Sequence, residues 1–190
     1  MSYVESKSDK EYPWYVRWLL KRQIKKYGKT LEPAKIWGRS PRVFIGVATL
    51  FGALDRKSSP IDPPLRALIT VRISQINWCR FCVDINAATV LKRGASEEKL
   101  SDLADFRESQ HFTDSEKLAL EYAEAMTIGN QPPAPELMER LKKTYSDDEI
   151  VELTGLIAFQ NLSSRFNAAL DVQPQGFCNI APQPTDKSLP

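Results

Sequence analysis

Three features of the chain predict an all-α fold. Apolar residues recur at helical spacing in nearly every periodic segment, and two capping boxes, Thr113-Asp-Ser-Glu116 and Ser146-Asp-Asp-Glu149, open such segments. Alternation of period two, the mark of a half-buried strand, is scarce. The 190 residues suit one domain that buries roughly two thirds of its unfolded surface without staples. With 42% hydrophobic and 26% charged residues the composition is that of a globular protein, and a formal charge of +2 gives no global drive toward nucleic acid. The first ten residues lack the apolar core of a secretory signal, and no run of about 18 uncharged apolar residues could span a bilayer, so a cytoplasmic location is expected.

Residues 1–39 read as a basic amphipathic helical arm. From Tyr12 onward, Val16, Leu19, Leu20, Ile24 and Tyr27 share one arc of a helical wheel, while Arg17, Lys21, Arg22, Lys25, Lys26 and Lys29 occupy the other half together with Trp14, Tyr15 and Trp18. Such an arm packs across a subunit boundary with its charges in water; binding to a membrane surface is the lesser alternative. Leu65, Leu68, Ile69, Ile73 and Ile76 follow i, i+3, i+4, i+8, i+11 and predict a helix, against which only the β-branched content argues. A further helix is expected from Asn77 or Trp78 to Arg93, stopped at Gly94. Ser96 with Glu97 and Glu98 opens a short helix through Leu100 and Leu103, and the first capping box opens one that carries Leu118, Ala119, Tyr122, Ala123 and Met126. After the rigid Gln131-Pro-Pro-Ala-Pro135 connection, Leu137, Met138, Leu141 and Tyr145 mark another amphipathic helix. The second box starts a long helix that is apolar nearly all round from Ile150 to Leu162, as a central or interface helix is. Residues 173–190, with Pro174, Gly176, Pro182, Pro184 and Pro190, read as an extended Pro-rich tail.

Two of the three cysteines stand in Cys79-Arg80-Phe81-Cys82. Thiols three apart share a helix face, so one can attack and the other can resolve the product as a disulfide. The spacing is equally half of a zinc site, or two small core residues. A zinc site needs two more ligands, for which only Cys178 and His111 exist, in no paired spacing, so no metal and no cofactor is expected. Helix N-terminal charge in the first turn favours Cys79 as nucleophile, with Arg80 turned about 100° away. His111 reads as a loop residue and Cys178 as a packed or incidental thiol.

The run Leu65-Arg-Ala-Leu-Ile-Thr-Val-Arg-Ile-Ser-Gln-Ile-Asn-Trp-Cys-Arg-Phe-Cys-Val-Asp-Ile-Asn86 resembles the signature of the carboxymuconolactone decarboxylase and AhpD-like alkylhydroperoxidase family. Phe112–Thr127 and Glu149–Leu170 resemble the family's later helices, and the likeness spans residues 40–172 as one AhpD-like domain. It implies an all-helical subunit in a homo-oligomer, trimer or hexamer, with Cys79 and Cys82 as catalytic dithiol in a cavity near a subunit contact. It implies further that hydroperoxide or another small molecule is the substrate and that an external dithiol is the reductant. In the family's peroxidases a Glu twelve positions before the first Cys and a His four after the second relay protons. This chain carries Ala67 and Asn86 there. Asn86, at i+4 from Cys82, is expected on the thiol face as a hydrogen-bonding group, whereas Asp84 lies about 200° round the helix.

The leading expectation is a thiol oxidoreductase acting on hydroperoxides or disulfides. One alternative is a family member weakened by loss of the relay that serves as an oligomeric or redox-sensing protein. Another is the namesake decarboxylation, which needs a cation for a substrate carboxylate, with Arg72, Arg165 or Arg80 as candidates. The shortage of strands argues against a thioredoxin fold, despite Trp78 before Cys79.

Overall fold

Nine α-helices and no strand occur among the described residues of the computed structural model, which are 2–129 and 131–180. They are α1 Trp14–Tyr27, α2 Glu32–Gly38, α3 Pro41–Leu54, α4 Pro63–Ile76, α5 Arg80–Lys92, α6 Glu97–Ser101, α7 Asp114–Ile128, α8 Pro135–Thr144 and α9 Asp147–Ala169, with 3-10 turns at Asp9–Glu11 and Asp102–Asp105. The expected tail from 181 onward, with Pro182, Pro184 and Pro190, lies outside the described residues. No helix among the described residues is long and apolar enough to cross a membrane.

The hub is α4, which packs against α5, α7 and α9. From Leu65 to Ile76 every residue but Thr70 is buried, and Leu68, Ile69 and Ile73 join Leu120, Leu153 and Ile157 in the main core. Burying such a side chain stabilises by about 1.5–3 kcal/mol, while a β-branched residue costs a helix at most about 0.7 kcal/mol, so packing decides for helix here. Both capping boxes form: the Thr113 and Ser146 hydroxyls accept the N–H of Glu116 and Glu149, whose carboxylates take the cap N–H groups in return.

The structure departs from the expected elements in three places. The arm is two helices, because Gly28 closes α1 in the left-handed region (φ 75°), its N–H donating to the Ile24 carbonyl, and Pro33 opens α2. Val16 and Leu20 of the predicted arc are buried with Tyr12, Ala34 and Phe44, but Ile24 is exposed. At Gly38 a Cβ would stand 3.1 Å from both Tyr12 and Val16, so α1 and α2 approach through the missing side chain. The helix expected from Asn77 or Trp78 begins at Arg80, because Trp78 takes a left-handed backbone (φ 56°) that separates α4 from α5. Third, α3 goes beyond the elements expected; it runs uncharged from Val43 to Leu54, with Val43, Ile45, Leu50 and Phe51 exposed.

Candidate functional site

The α4–α5 reversal builds the thiol pair. Asn77 caps α4, Trp78 turns the chain, and the Cys79 N–H donates back to the Ser74 carbonyl at 3.0 Å. A bulky residue in the left-handed region costs roughly 1–2 kcal/mol, and Trp78 bears it directly before the first thiol. Cys79 thereby becomes the N-cap of α5, and its Sγ accepts the backbone N–H of Cys82 at 3.2 Å. Cys79 and Cys82 are joined as a disulfide with their Cα atoms 5.2 Å apart. Cys82 Sγ in turn accepts Nδ2–H of Asn167, from α9, at 3.2 Å. Each sulfur therefore has one N–H donor aimed at it, the arrangement that favours a thiolate.

The disulfide is covered: Cys79 is 1% and Cys82 3% exposed. Their shell is Ile36 from α2, Phe81 and Val172, with Phe166, Leu170 and Phe177 packed against it. The chain after α9 is held there by Asp84. Its Oδ2 accepts the Gln175 N–H at 2.8 Å, and its Oδ1 accepts those of Phe177 and Cys178 at 2.7 and 2.8 Å. Gln175 also accepts from the Glu32 N–H and donates to the Thr30 carbonyl, tying the same segment to the start of α2. Asp84 is thus a buried anchor of a strap, consistent with its place far round α5 from the thiols. A surface pocket of about 440 Å³ shares Ile36, Phe166 and Leu170 with the disulfide's shell and adds Trp37, stacked on Phe166 at 3.5 Å, and Arg39.

The other expected site residues have surroundings of their own. Asn86 is half-buried and its Nδ2 faces Ser74 Oγ at 3.5 Å. Ala67 belongs to the main core, whereas the cysteines sit in a separate apolar cluster with Ile36 and Val172. Arg80 is exposed and pairs with Asp171 at 3.2 Å. The candidate carboxylate-binding cations are engaged: Arg72 is buried against Glu124, and Arg165 donates to the Thr127 carbonyl and to Asn77 Oδ1. His111 is exposed, 3.8 Å from Asp102. Cys178 is a free, half-buried thiol.

Asn167 is the site residue that sequence reasoning missed. Its signal is a stripe of polar residues on the buried face of α9: Gln160, Ser164 and Asn167 fall at i, i+4, i+7, and all three are buried. Gln160 Nε2 donates to Ser74 Oγ at 2.9 Å and Ser164 Oγ accepts from Asn77, so the stripe runs along the α4–α5 reversal to Cys82.

Comparison with known proteins agrees with this architecture. The carboxymuconolactone decarboxylase family matches over residues 41–125. The uncharacterized protein YnjA of Escherichia coli is 45% identical over 163 residues, covering 86% of this chain and 88% of its own length. Among solved structures, the alkylhydroperoxidase AhpD core of an uncharacterized peroxidase-related protein from Ralstonia eutropha superposes with a TM-score of 0.82 at 18% identity, covering 92% of each chain. The debrominase Bmp8 superposes with a TM-score of 0.76 at 20% identity over 86% of this chain and 88% of its own. At these identities the two structures establish the shared fold.

Proposed function

We propose, of a chain that belongs to the carboxymuconolactone decarboxylase family, that Cys79 and Cys82 are a working dithiol that reduces hydroperoxides. The observation that carries this reading is the pairing of the two sulfurs at the N-terminus of α5, each facing an N–H donor. Cys79, at the N-cap, is the nucleophile: its thiolate attacks the distal peroxide oxygen, the O–O bond breaks, and the alkoxide leaves and takes a proton from water. Cys82 thiolate then attacks the sulfenic sulfur and displaces hydroxide, which is protonated to water, closing the disulfide. An external dithiol reduces that disulfide and is itself oxidised. With alanine and asparagine at positions 67 and 86, the step lacks the relay that general acid–base catalysis supplies, worth typically about 10²–10⁴ in rate. The apolar pocket beside the shell suits the carbon skeleton of an alkyl hydroperoxide. The exposed apolar side chains of α3 support assembly with further copies of the chain.

Burial of both sulfurs supports a second reading, an oligomeric or redox-sensing protein whose thiols turn over slowly. One experiment separates the two. Reduced protein is mixed with a modest excess of alkyl hydroperoxide, and free thiols and intact mass are followed for wild type and Cys79→Ser. Rapid loss of two thiols and two hydrogens in wild type, absent in the variant, is the expected result; thiol loss no faster than that of free cysteine would refute the peroxidase reading.

A further inference from the structure

We infer that Asn167 is a positioning residue for the dithiol: through Cys82 it biases the pair toward the reduced state and holds Cys82 as the leaving thiolate when the disulfide is opened. The inference rests on the dithiol reading above but on no particular peroxide. Three observations carry it. Asn167 is 2% exposed and its Nδ2–H points at Cys82 Sγ at 3.2 Å. Its Oδ1, equally buried, has no hydrogen-bond partner among the described residues, in which the disulfide is closed. And the side chain projects from the central helix α9, as the last member of a buried polar stripe, so its position is set by packing rather than by a loop.

The chemistry follows from what sulfur offers in each state. A disulfide sulfur has no hydrogen and accepts weakly, so the amide of Asn167 makes one poor bond and leaves its carbonyl unpaired. After reduction, Cys82 as thiolate is a charged acceptor for Nδ2–H, and as thiol it can donate S–H to Oδ1. The same amide is therefore better satisfied by either protonation state of the reduced cysteine than by the disulfide. In the reductive step a thiolate of the external dithiol attacks Cys79 Sγ, the S–S bond breaks, and its electron pair stays on Cys82, stabilised by Asn167. The second thiolate of the reductant then attacks the mixed disulfide at the reductant's own sulfur and expels Cys79 as thiolate, leaving the reductant as its disulfide.

The test compares Asn167→Leu, which keeps the approximate shape without polar atoms, and Asn167→Asp, which keeps the shape without the donor. Two quantities are read. The first is the dithiol–disulfide equilibrium in dithiothreitol buffers, by intact mass after alkylation, in a Cys178→Ser background. The second is the titration of Cys82 alone, by thiolate absorbance in Cys79→Ser/Cys178→Ser protein. Loss of one charge-assisted hydrogen bond should favour the disulfide by about tenfold in Asn167→Leu and move the Cys82 titration up by about one pH unit, and further in Asn167→Asp. A packing role alone lowers the melting temperature and moves neither quantity. An equilibrium and a titration that both stay at the wild-type values in folded Asn167→Leu protein would overturn the inference, whatever the outcome with hydroperoxides.

Discussion

Asp84→Ala probes whether the strap guards the disulfide. Asp84 accepts three backbone N–H bonds from Gln175, Phe177 and Cys178, all between 2.7 and 2.8 Å. Hydrogen bonds to a charged group contribute about 1.5–3 kcal/mol each, but the three N–H groups regain water once the strap lifts. The strap also keeps the Gln175 bonds to Glu32 and Thr30 and the Lys29 Nζ bond to the Gln175 carbonyl, so it loosens rather than detaches. A loss of about 2–3 kcal/mol of closing free energy is the resulting expectation, equivalent to a rise of about 30- to 140-fold in the open population. Because Val172 and Phe177 are part of the shell over Cys79 and Cys82, reduction of the disulfide by dithiothreitol should accelerate by a similar factor. The assay quenches the reaction by alkylation and counts blocked thiols by mass, with amide exchange of residues 172–178 followed in parallel. Faster exchange in the strap with an unchanged reduction rate would show that reductant enters elsewhere and would refute the reasoning.

Two further outcomes test the frame of the site. Arg72 is buried against Glu124 at 2.5 Å, and Arg107 closes on the other carboxylate oxygen at 2.6 Å; Arg72→Met leaves a buried carboxylate with one partly exposed partner and should cost about 3 kcal/mol in urea unfolding, much of it recovered in Arg72→Met/Glu124→Leu. For Glu116, burial pushes the carboxyl up, but the Lys99 ammonium and the Thr113 N–H hold it below its ordinary value overall. A carboxyl held low in the folded state adds stability above the ordinary carboxylate range near pH ~4.3 and loses it as pH falls through the folded value. Glu116→Gln should therefore destabilise by about 1 kcal/mol at pH 7, with the gap to wild type closing in acid denaturation curves.

The sequence is most legible where chemistry is local. Thr113 and Ser146 start α7 and α9 as their boxes require, and Gly94 takes the left-handed conformation (φ 87°) after α5. The thiol pair was legible as a pair, because i, i+3 spacing needs only a helix start. What surrounds it was not. Asp84 is 91 residues from Gln175 and Cys82 is 85 from Asn167, and no local rule couples such distances. The first residue of α5 was misplaced by two or three positions because Trp78 sits in a conformation that a tryptophan seldom adopts. Helix α2 is invisible as a strong amphipathic pattern, since it is only seven residues long and the four it buries, Pro33, Ala34, Ile36 and Gly38, do not repeat at helical spacing over enough turns to stand out.

The missing relay and the found amide belong together. A carboxylate or imidazole at positions 67 and 86 would make a peroxidase rate depend on its own titration as well as on that of the thiols. Alanine and asparagine do not titrate, so under the proposed chemistry thiolate formation is governed by the donors that face the sulfurs: the Cys82 N–H on Cys79 and Asn167 on Cys82. Such donors stabilise the anion without moving a proton. On the proposed chemistry they would set the thiolate fraction and the ease of reduction, with proton delivery left to water. A dithiol built this way is tuned more strongly in its equilibrium than in its rate, and it is for that reason that the redox equilibrium, rather than turnover, is where a change at position 167 shows first.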